Sequence, residues 1–463
     1  MSEAKAARGS IPPITLKIIR FLSILLPILG LIWNMRLHLY LNIFIWNGWF
    51  YGTFLGITLV LVYLNFPVSK GKPIQWFDYL FALLSAVMCM YYVSIYENLI
   101  VTGGMNFTII DFIFSVTVIL LVLEAVRRTT GWAMVIICIF FIIHALYASH
   151  FPGFLRGPDM SFQRAITTMT LSNSGIFGFI LGIAATFILA FTTFGGFLVS
   201  LGTGDKFSNL ALSLAGHLRG GAAKLAIIGS AMMGTITGSP AANVGITGSF
   251  SIPLMKKTGF KPEVAAAVET TASIGGVIMP PMMGSIIFIM VEISGIPYAE
   301  IIKAAVTPAI LYFVALYIQI DLYTTRHKIG SLEGGQLPDR VKSIKESWPV
   351  FLVIGLLVYL IAIVYIEPIV AVYYCLGVLL LIAVFDKNNR LSLKTIVEGL
   401  EGSTKSVIQI TPLIAAAGII FASVSATGVG IRLAQGLLNV AGGSLLLLTV
   451  LTAVICYILG LGV

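Results

Sequence analysis

Residues Gly229 to Met255 form a run of 27 residues without a single charge, GSAMMGTITGSPAANVGITGSFSIPLM. Its length exceeds the roughly 20 residues that cross a bilayer core. It is nevertheless a poor single helix. Gly234, Gly238, Gly245 and Gly248 each weaken a helix, and Pro240 removes a backbone donor in mid-run. Thr235, Thr237, Ser239, Asn243, Thr247 and Ser249 lie between them. Hydrocarbon offers no partner to a backbone polar group, so a segment this broken must be buried in protein or line a polar cavity. The run therefore predicts a helical hairpin or a discontinuous helix, with substrate or ion at the break. After the polar KKTGFKPE the pattern resumes in VAAAVETTASIGGVIMPPMMGS, which ends at Ser285.

The rest of the chain agrees with a membrane setting. Apolar residues make up 58% and charged residues 10%, where soluble domains carry about 25% charge. Long apolar runs, not short alternating segments, exclude a β-barrel and predict an all-α polytopic membrane protein. The net charge of +9 is not a nucleic-acid signal, and no nucleic-acid partner is expected. The Lys and Arg residues fall mostly in short loops, as the positive-inside rule requires. Cys89, Cys138, Cys375 and Cys456 are isolated in apolar runs and read as small hydrophobes. The first run follows Lys5, Arg8, Lys17 and Arg20 without a small-residue cleavage site, and reads as a retained anchor.

Apolar runs at 21–35, 47–66, 76–96, 109–126 and 132–149 make a first region, 1–155. Lys70, Lys72, Arg127 and Arg128 then fall in cytoplasmic loops, and the 97–110 loop, which has no Lys or Arg, is external. Trp46, Trp49, Tyr51, Trp76 and Tyr79 near run ends read as interfacial packing in contact with membrane lipid. A turn-rich loop around His150 to Asp159 marks a boundary. The second region, 156–330, holds a surface helix at 163–173, a run at 175–201, an amphipathic piece at 205–219, the hairpin at 223–256, re-entry at 264–295 and a span at 299–325. The third, 331–463, holds runs at 349–366 and 368–385, an amphipathic stretch at 391–402, and runs at 404–424 and 443–463.

Thr203-Gly204, Gly220-Gly221 and Gly234 to Gly238 are echoed by Thr427-Gly428, Gly442-Gly443 and Gly460 to Gly462. Each set follows a surface-helix candidate and a long apolar run, which predicts an inverted repeat. The chain stops at Val463 inside an apolar run, where the second copy would enter its own hairpin. A truncated chain, or one piece of a longer protein, is expected.

Several segments resemble one transporter family. They are Leu123-Glu-Ala-Val-Arg-Arg-Thr-Thr-Gly131, Gly175-Ile-Phe-Gly178, Gly220-Gly-Ala-Ala-Lys224, Gly234-Thr-Ile-Thr-Gly-Ser-Pro-Ala-Ala-Asn-Val244, Thr247-Gly-Ser-Phe-Ser-Ile-Pro-Leu-Met255 and Val268-Glu-Thr-Thr-Ala-Ser-Ile-Gly-Gly-Val-Ile-Met-Pro-Pro-Met-Met-Gly284. The chain resembles the fused permease of TRAP (tripartite ATP-independent periplasmic) transporters, in the 4TM/12TM-fusion, TAXI-associated form. Pro240 and Thr270 stand where the family often has another small residue and Ala. The resemblance implies a permease in a bacterial or archaeal cytoplasmic membrane, driven by a cation gradient, usually sodium. It implies a periplasmic or lipid-anchored solute-binding protein that delivers a small organic anion, and an elevator-like transport domain. No enzymatic activity is expected, and no P-loop lysine follows Gly234 to Gly238. The other readings are a membrane scaffold without transport and a sodium/proton antiporter that needs no binding protein.

Two clusters are the site candidates. At the hairpin tip, Thr237, Gly238, Ser239, Ala242 and Asn243 combine helix-end carbonyls with side-chain oxygens. In the second cluster, Thr270, Thr271 and Ser273 precede Gly275, Gly276, Val277, Met279, Pro280 and Pro281, whose Gly and Pro pairs should unwind a helix. On the family's pattern, Gly238, Ser239, Ala242, Asn243, Gly275, Gly276, Val277, Met279 and Pro280 are sodium ligands. Thr237, Ser239, Asn243, Thr270, Thr271 and Ser273 are the expected substrate contacts. The plainer readings stay open: Gly234 to Gly238 as close helix packing, and 275–281 as a kink without ligand. Glu269, alone in an apolar run, either binds a cation or proton, caps structure, or pairs with Lys256, Lys257 or Lys261. Glu124 with Arg127 and Arg128 reads as a structural helix pair. Lys224 and Arg432 are weaker lipid or substrate candidates, and Asn106-Phe-Thr is a sequon by spelling only.

Overall fold

The computed structural model describes residues 12–40, 42–68, 74–101, 108–332, 337–386 and 391–460, with side chains through 457. Asn106, Lys70 and Lys72 lie outside the described residues. The described chain is helical, and 10 of its helices are long and apolar enough to cross a membrane. The protein is thus a polytopic all-α membrane protein. It divides into two compact units, residues 1–186 with 405–463, and residues 187–404.

The first unit opens with α1 (Pro13–Asn34), α2 (Asn47–Asn65), α3 (Trp76–Val101), α4 (Ile109–Thr129) and α5 (Trp132–Tyr147). α1 starts eight residues before the apolar run at 21–35. Pro13 supplies a φ suited to the first helical turn, and Lys17 and Arg20 are tolerated near its end. α2 meets α3 along Gly48, Gly52 and Gly56, four residues apart on one face. A Cβ on Gly52 would lie 2.9 Å from Tyr92 and Val93, so small residues set this close approach. Arg128 is buried. It pairs with Asp78 at 2.6 Å and with Glu124 at 2.8 Å, and lies over the Tyr63 ring. Glu124 also takes Arg127 at 2.7 Å. The expected helix pair is there, and Asp78 extends it into a buried cluster. Short α6 (Phe162–Leu171) follows the loop.

α7 (Phe179–Ser200) carries one π-helical turn at Ala184–Ile188 and continues from the first unit into the second. The second unit then contains amphipathic α8 (Thr203–Ala215), α9 (Gly221–Thr237), α10 (Pro240–Lys257), α11 (Pro262–Ile274), a 3-10 turn at Gly275–Ile278, α12 (Ile286–Ser294), α13 (Tyr298–Arg326), α14 (Arg340–Ala362) and α15 (Pro368–Phe385). α16 (Leu393–Thr427) returns to the first unit, followed by α17 (Val429–Ala441) and α18 (Leu445–Gly460). The stretches 391–402 and 404–424, read separately from sequence, form the single helix α16. No proline stands between them, and Ser403 and Thr404 turn their hydroxyls back to the Leu400 carbonyl within the helix. Of the echoed glycines, Gly204 lies inside α8 and Gly220 follows it, while Gly428 and Gly442 flank α17. Gly202 and Gly220 bracket α8 with φ of 75° and 63°, and Gly428 and Gly442 bracket α17 with φ of 71° and 55°.

Candidate functional site

The uncharged run folds as a hairpin of two helices, α9 and α10. Gly238 ends α9 in the left-handed conformation, Ser239 caps α10 by accepting from the Ala242 amide, and Pro240 takes the first helical position. Pro240 is therefore a helix starter, not a mid-helix defect. At 17 and 18 residues the arms are about 26 Å long, short of a 30 Å bilayer core. Lys224 lies at the base of one arm, and the exposed Lys256 and Lys257 end the other.

The second break sits directly against this hairpin. α11 gives way to the 3-10 turn at Gly275–Ile278, and the Pro280–Pro281 peptide that follows is cis. Gly234 of α9 meets Gly276, where a Cβ on Gly234 would lie 2.5 Å from the Gly276 Cα. At the tip, a Cβ on Gly238 would collide with the Met283 carbonyl oxygen. At the Gly234–Gly276 contact the two backbones approach this closely because neither residue has a side chain. The C-terminal ends of α9 and α11 thus lie side by side, with carbonyl dipoles of the sign that attracts cations, while α10 presents its positive N-terminal end beside them. The carbonyls of Gly276, Val277 and Met279 accept from Met279, Gly284 and Met283 amides at 3.3, 2.7 and 3.2 Å. Each keeps a second lone pair.

The side chains of the two candidate clusters separate into three groups. Asn243 is fully buried and donates from Nδ2 to the Ser230 carbonyl at 2.9 Å, and its Nδ2 is also close to Gly276. Thr237, Gly238, Ser239 and Ala242 remain part-buried at the tip. Thr270 and Thr271 face outward from α11: Thr270 bonds back to the Ala266 carbonyl, and the Thr271 carbonyl takes the Tyr312 hydroxyl at 2.7 Å. Ser273 instead turns inward, one helical turn from Glu269. Gly275 packs under the Tyr312 and Phe313 rings, and Met279 lines an apolar cavity of about 440 Å³ with Met232, Thr235 and Phe313.

Glu269 is fully buried and makes no ion pair among the described residues. The lysine partners considered from sequence are exposed, so that pairing does not form. Four hydroxyls surround its carboxyl: Thr247 and Ser251 of α10 in direct hydrogen bonds, Ser273 at 3.2 Å and Ser230 of α9 at 3.4 Å. Gly248 leaves room for its stem, since a Cβ there would come within 3.1 Å of the Glu269 Cγ. Ser230 and Ser251 escaped the sequence reading, and Thr247 was noted only as polar. The signal was the four-residue spacing of Asn243, Thr247 and Ser251, which puts all three on one helix face. Lys224, a lipid or substrate candidate, is buried against Asp321 at 2.5 Å and Tyr317, whereas Arg432 is exposed.

Comparison with known proteins accords with this architecture. Residues 117–463 match the family described as tripartite ATP-independent periplasmic transporter, DctM component. Over 202 residues the chain is 28% identical to the uncharacterized protein YgiK of Salmonella typhimurium, covering 43% of this chain and 45% of that one. It is 28% identical over 145 residues to the ectoine/5-hydroxyectoine TRAP transporter large permease protein UehC of Ruegeria pomeroyi, covering 31% and 33%. It is 26% identical over 183 residues to the C4-dicarboxylate TRAP transporter large permease protein DctM of Rhodobacter capsulatus, covering 36% and 40%. The chain spans less than half the length of these curated relatives. The family match covers most of the sequence and includes both helix breaks, and on it the chain belongs to the DctM component family of tripartite ATP-independent periplasmic transporters.

Proposed function

We propose that this chain is the membrane permease part of a secondary transporter that imports small organic acids, coupled to sodium and supplied by an extracytoplasmic solute-binding protein. The carrying observation is the contact between two helix breaks, at 237–239 and 275–281, made possible by Gly234, Gly238 and Gly276. Carbonyls at the ends of α9 and α11, with the oxygens of Ser239 and Asn243, offer the neutral oxygen donors that a sodium ion takes. The N-terminal end of α10, with its amides at the tip, suits the carboxylate of a substrate. The solutes in the relatives' names, ectoine, 5-hydroxyectoine and C4-dicarboxylates, all carry carboxylates and support that class. The setting is the cytoplasmic membrane, where a solute-binding protein on the outer side would deliver the acid.

The test is solute uptake into proteoliposomes by the full-length transporter with its binding protein supplied. Replacing sodium by choline, or Asn243 by Ala, is expected to cut uptake on the order of tenfold or more, the size of a lost coupling free energy. Uptake that is unchanged under both perturbations overturns the sodium site.

A further inference from the structure

The carboxyl of Glu269 lies about halfway down the hairpin. Ser230 is eight residues before the tip glycine and Thr247 nine after it, so roughly 12 Å of helix separates them from the hairpin tip, while Ser273 lies two residues before the second break. An ionised carboxylate with no cation, buried this deeply in a membrane protein, is costly. The titratable groups on the surrounding elements do not offset it. Lys224 of α9 is held by Asp321 of α13. Lys256 and Lys257 of α10 and Glu263 of α11 are exposed. The Tyr312 hydroxyl of α13 is bonded to Thr271, and Tyr317 lies under Lys224. The 3-10 turn carries no titratable side chain.

The hydroxyls around the carboxyl have competing acceptors. Thr247 has one hydroxyl hydrogen and two acceptors, the Asn243 carbonyl at 2.9 Å and Glu269 Oε1. If it makes the helical back-bond to Asn243, its contact with Oε1 needs a hydrogen from the carboxyl. Ser230 meets Thr247 at 3.2 Å, Ser273 at 3.4 Å and Oε1 at 3.4 Å, again with one hydrogen among three oxygens. Ser251 donates to Oε2. These contacts share four hydroxyl hydrogens, and a proton on Oε1, donated to Thr247, leaves the Thr247 hydroxyl free for its back-bond to the Asn243 carbonyl.

We propose that Glu269, held by Ser230, Thr247, Ser251 and Ser273, is a proton-binding site distinct from the hairpin tip. The step is one proton transfer: an O–H bond forms on Oε1 as a hydronium ion gives up its proton, and the reverse occurs on release. A consequence, which rests on the transport reading above, is that a proton accompanies the hairpin when it moves.

Infrared spectra of the purified protein in lipid nanodiscs test the site itself. A protonated-carboxyl C=O band that grows as the pH is lowered is expected in the wild type and absent in Glu269→Gln. Should that variant misfold, Ser251→Ala and Thr247→Val are expected to shift the same band by removing its hydrogen-bond partners. Spectra that coincide for wild type and Glu269→Gln overturn the proposal. So does a band lost on exchanging choline for sodium at constant pH, which would put a metal ion in place of the proton. Uptake under an inside-alkaline pH gradient tests the consequence. Stimulation on the order of tenfold in the wild type, and none in Glu269→Gln, is expected. Equal stimulation in both overturns the coupling. Absence of uptake in the wild type under every gradient overturns the transport reading, and the infrared band then decides the site alone.

Discussion

The contact of Gly234 with Gly276 makes opposite predictions for two glycines of one hairpin. In Gly234→Ala the new Cβ would sit 2.5 Å from the Gly276 Cα. Carbon atoms are content at about 3.5–4.0 Å, so the two backbones must part by about 1–1.5 Å. Neither side of this contact is the flexible end of a side chain. Overpacking costs about 1–3 kcal/mol, and with backbone on both sides the upper end applies. Against it stands the helix propensity of alanine, worth about 1 kcal/mol over glycine. The net is a loss of about 2 kcal/mol, roughly a thirtyfold fall in the folded-to-unfolded ratio. Gly245 lies in α10 with nothing within 4 Å of its would-be Cβ. Gly245→Ala gains the propensity without the clash and is expected to stabilise by about 0.5–1 kcal/mol. Unfolding in mixed micelles of rising SDS fraction, followed by tryptophan fluorescence, orders the three proteins. If Gly234→Ala unfolds no earlier than Gly245→Ala, the close approach of the two helix breaks is refuted.

The buried charge cluster of the first unit makes a second prediction. Arg128→Met leaves Asp78 buried and unpaired and is expected to cost about 3–5 kcal/mol, while Arg128→Met with Asp78→Leu recovers most of it, in the same unfolding assay. A double variant as unstable as the single one would contradict this. On the loop after α5, the side-chain hydroxyl and then the amide of Ser149 hold the Asp159 carboxyl below the usual carboxylate range. A lowered folded value stabilises above the unfolded one, near 3.8, and this contribution is lost as pH falls through the folded value. Ser149→Ala is expected to raise the Asp159 midpoint in a carboxyl carbon NMR titration, and an unmoved midpoint would refute the assignment.

The membrane class and the hairpin were legible because both rest on covalent facts that the bilayer enforces. A run without charge must be buried, and Gly238-Ser239-Pro240 can hardly continue a helix. Boundaries that depend on weaker signals were less legible. α1 begins earlier than its apolar run because helices accept a few charges near their ends. α16 is one helix where two were read because amphipathic and apolar stretches join without a breaker. Asp78 could not be foreseen as the partner of Arg128, since 50 residues separate them and only tertiary packing brings them together.

The site divides along the same line. Backbone chemistry can be read from a sequence, because glycine and proline act on their own positions, so both helix breaks were found. Side-chain chemistry depends on which face of a helix turns inward, and one helical turn decides it. Thr270 and Thr271 sit beside Glu269 in sequence yet face outward, whereas Ser273, four residues on, shares its face. The same spacing joins Asn243, Thr247 and Ser251. Close packing and ligand binding therefore need not compete at this hairpin. Gly234 and Gly276 bring α9, α10 and α11 near enough for four hydroxyls to reach one carboxyl. Without that contact Glu269 would face a gap, and its burial would have no counterpart. Gly234→Ala should thus disturb the Glu269 carboxyl as well as the fold.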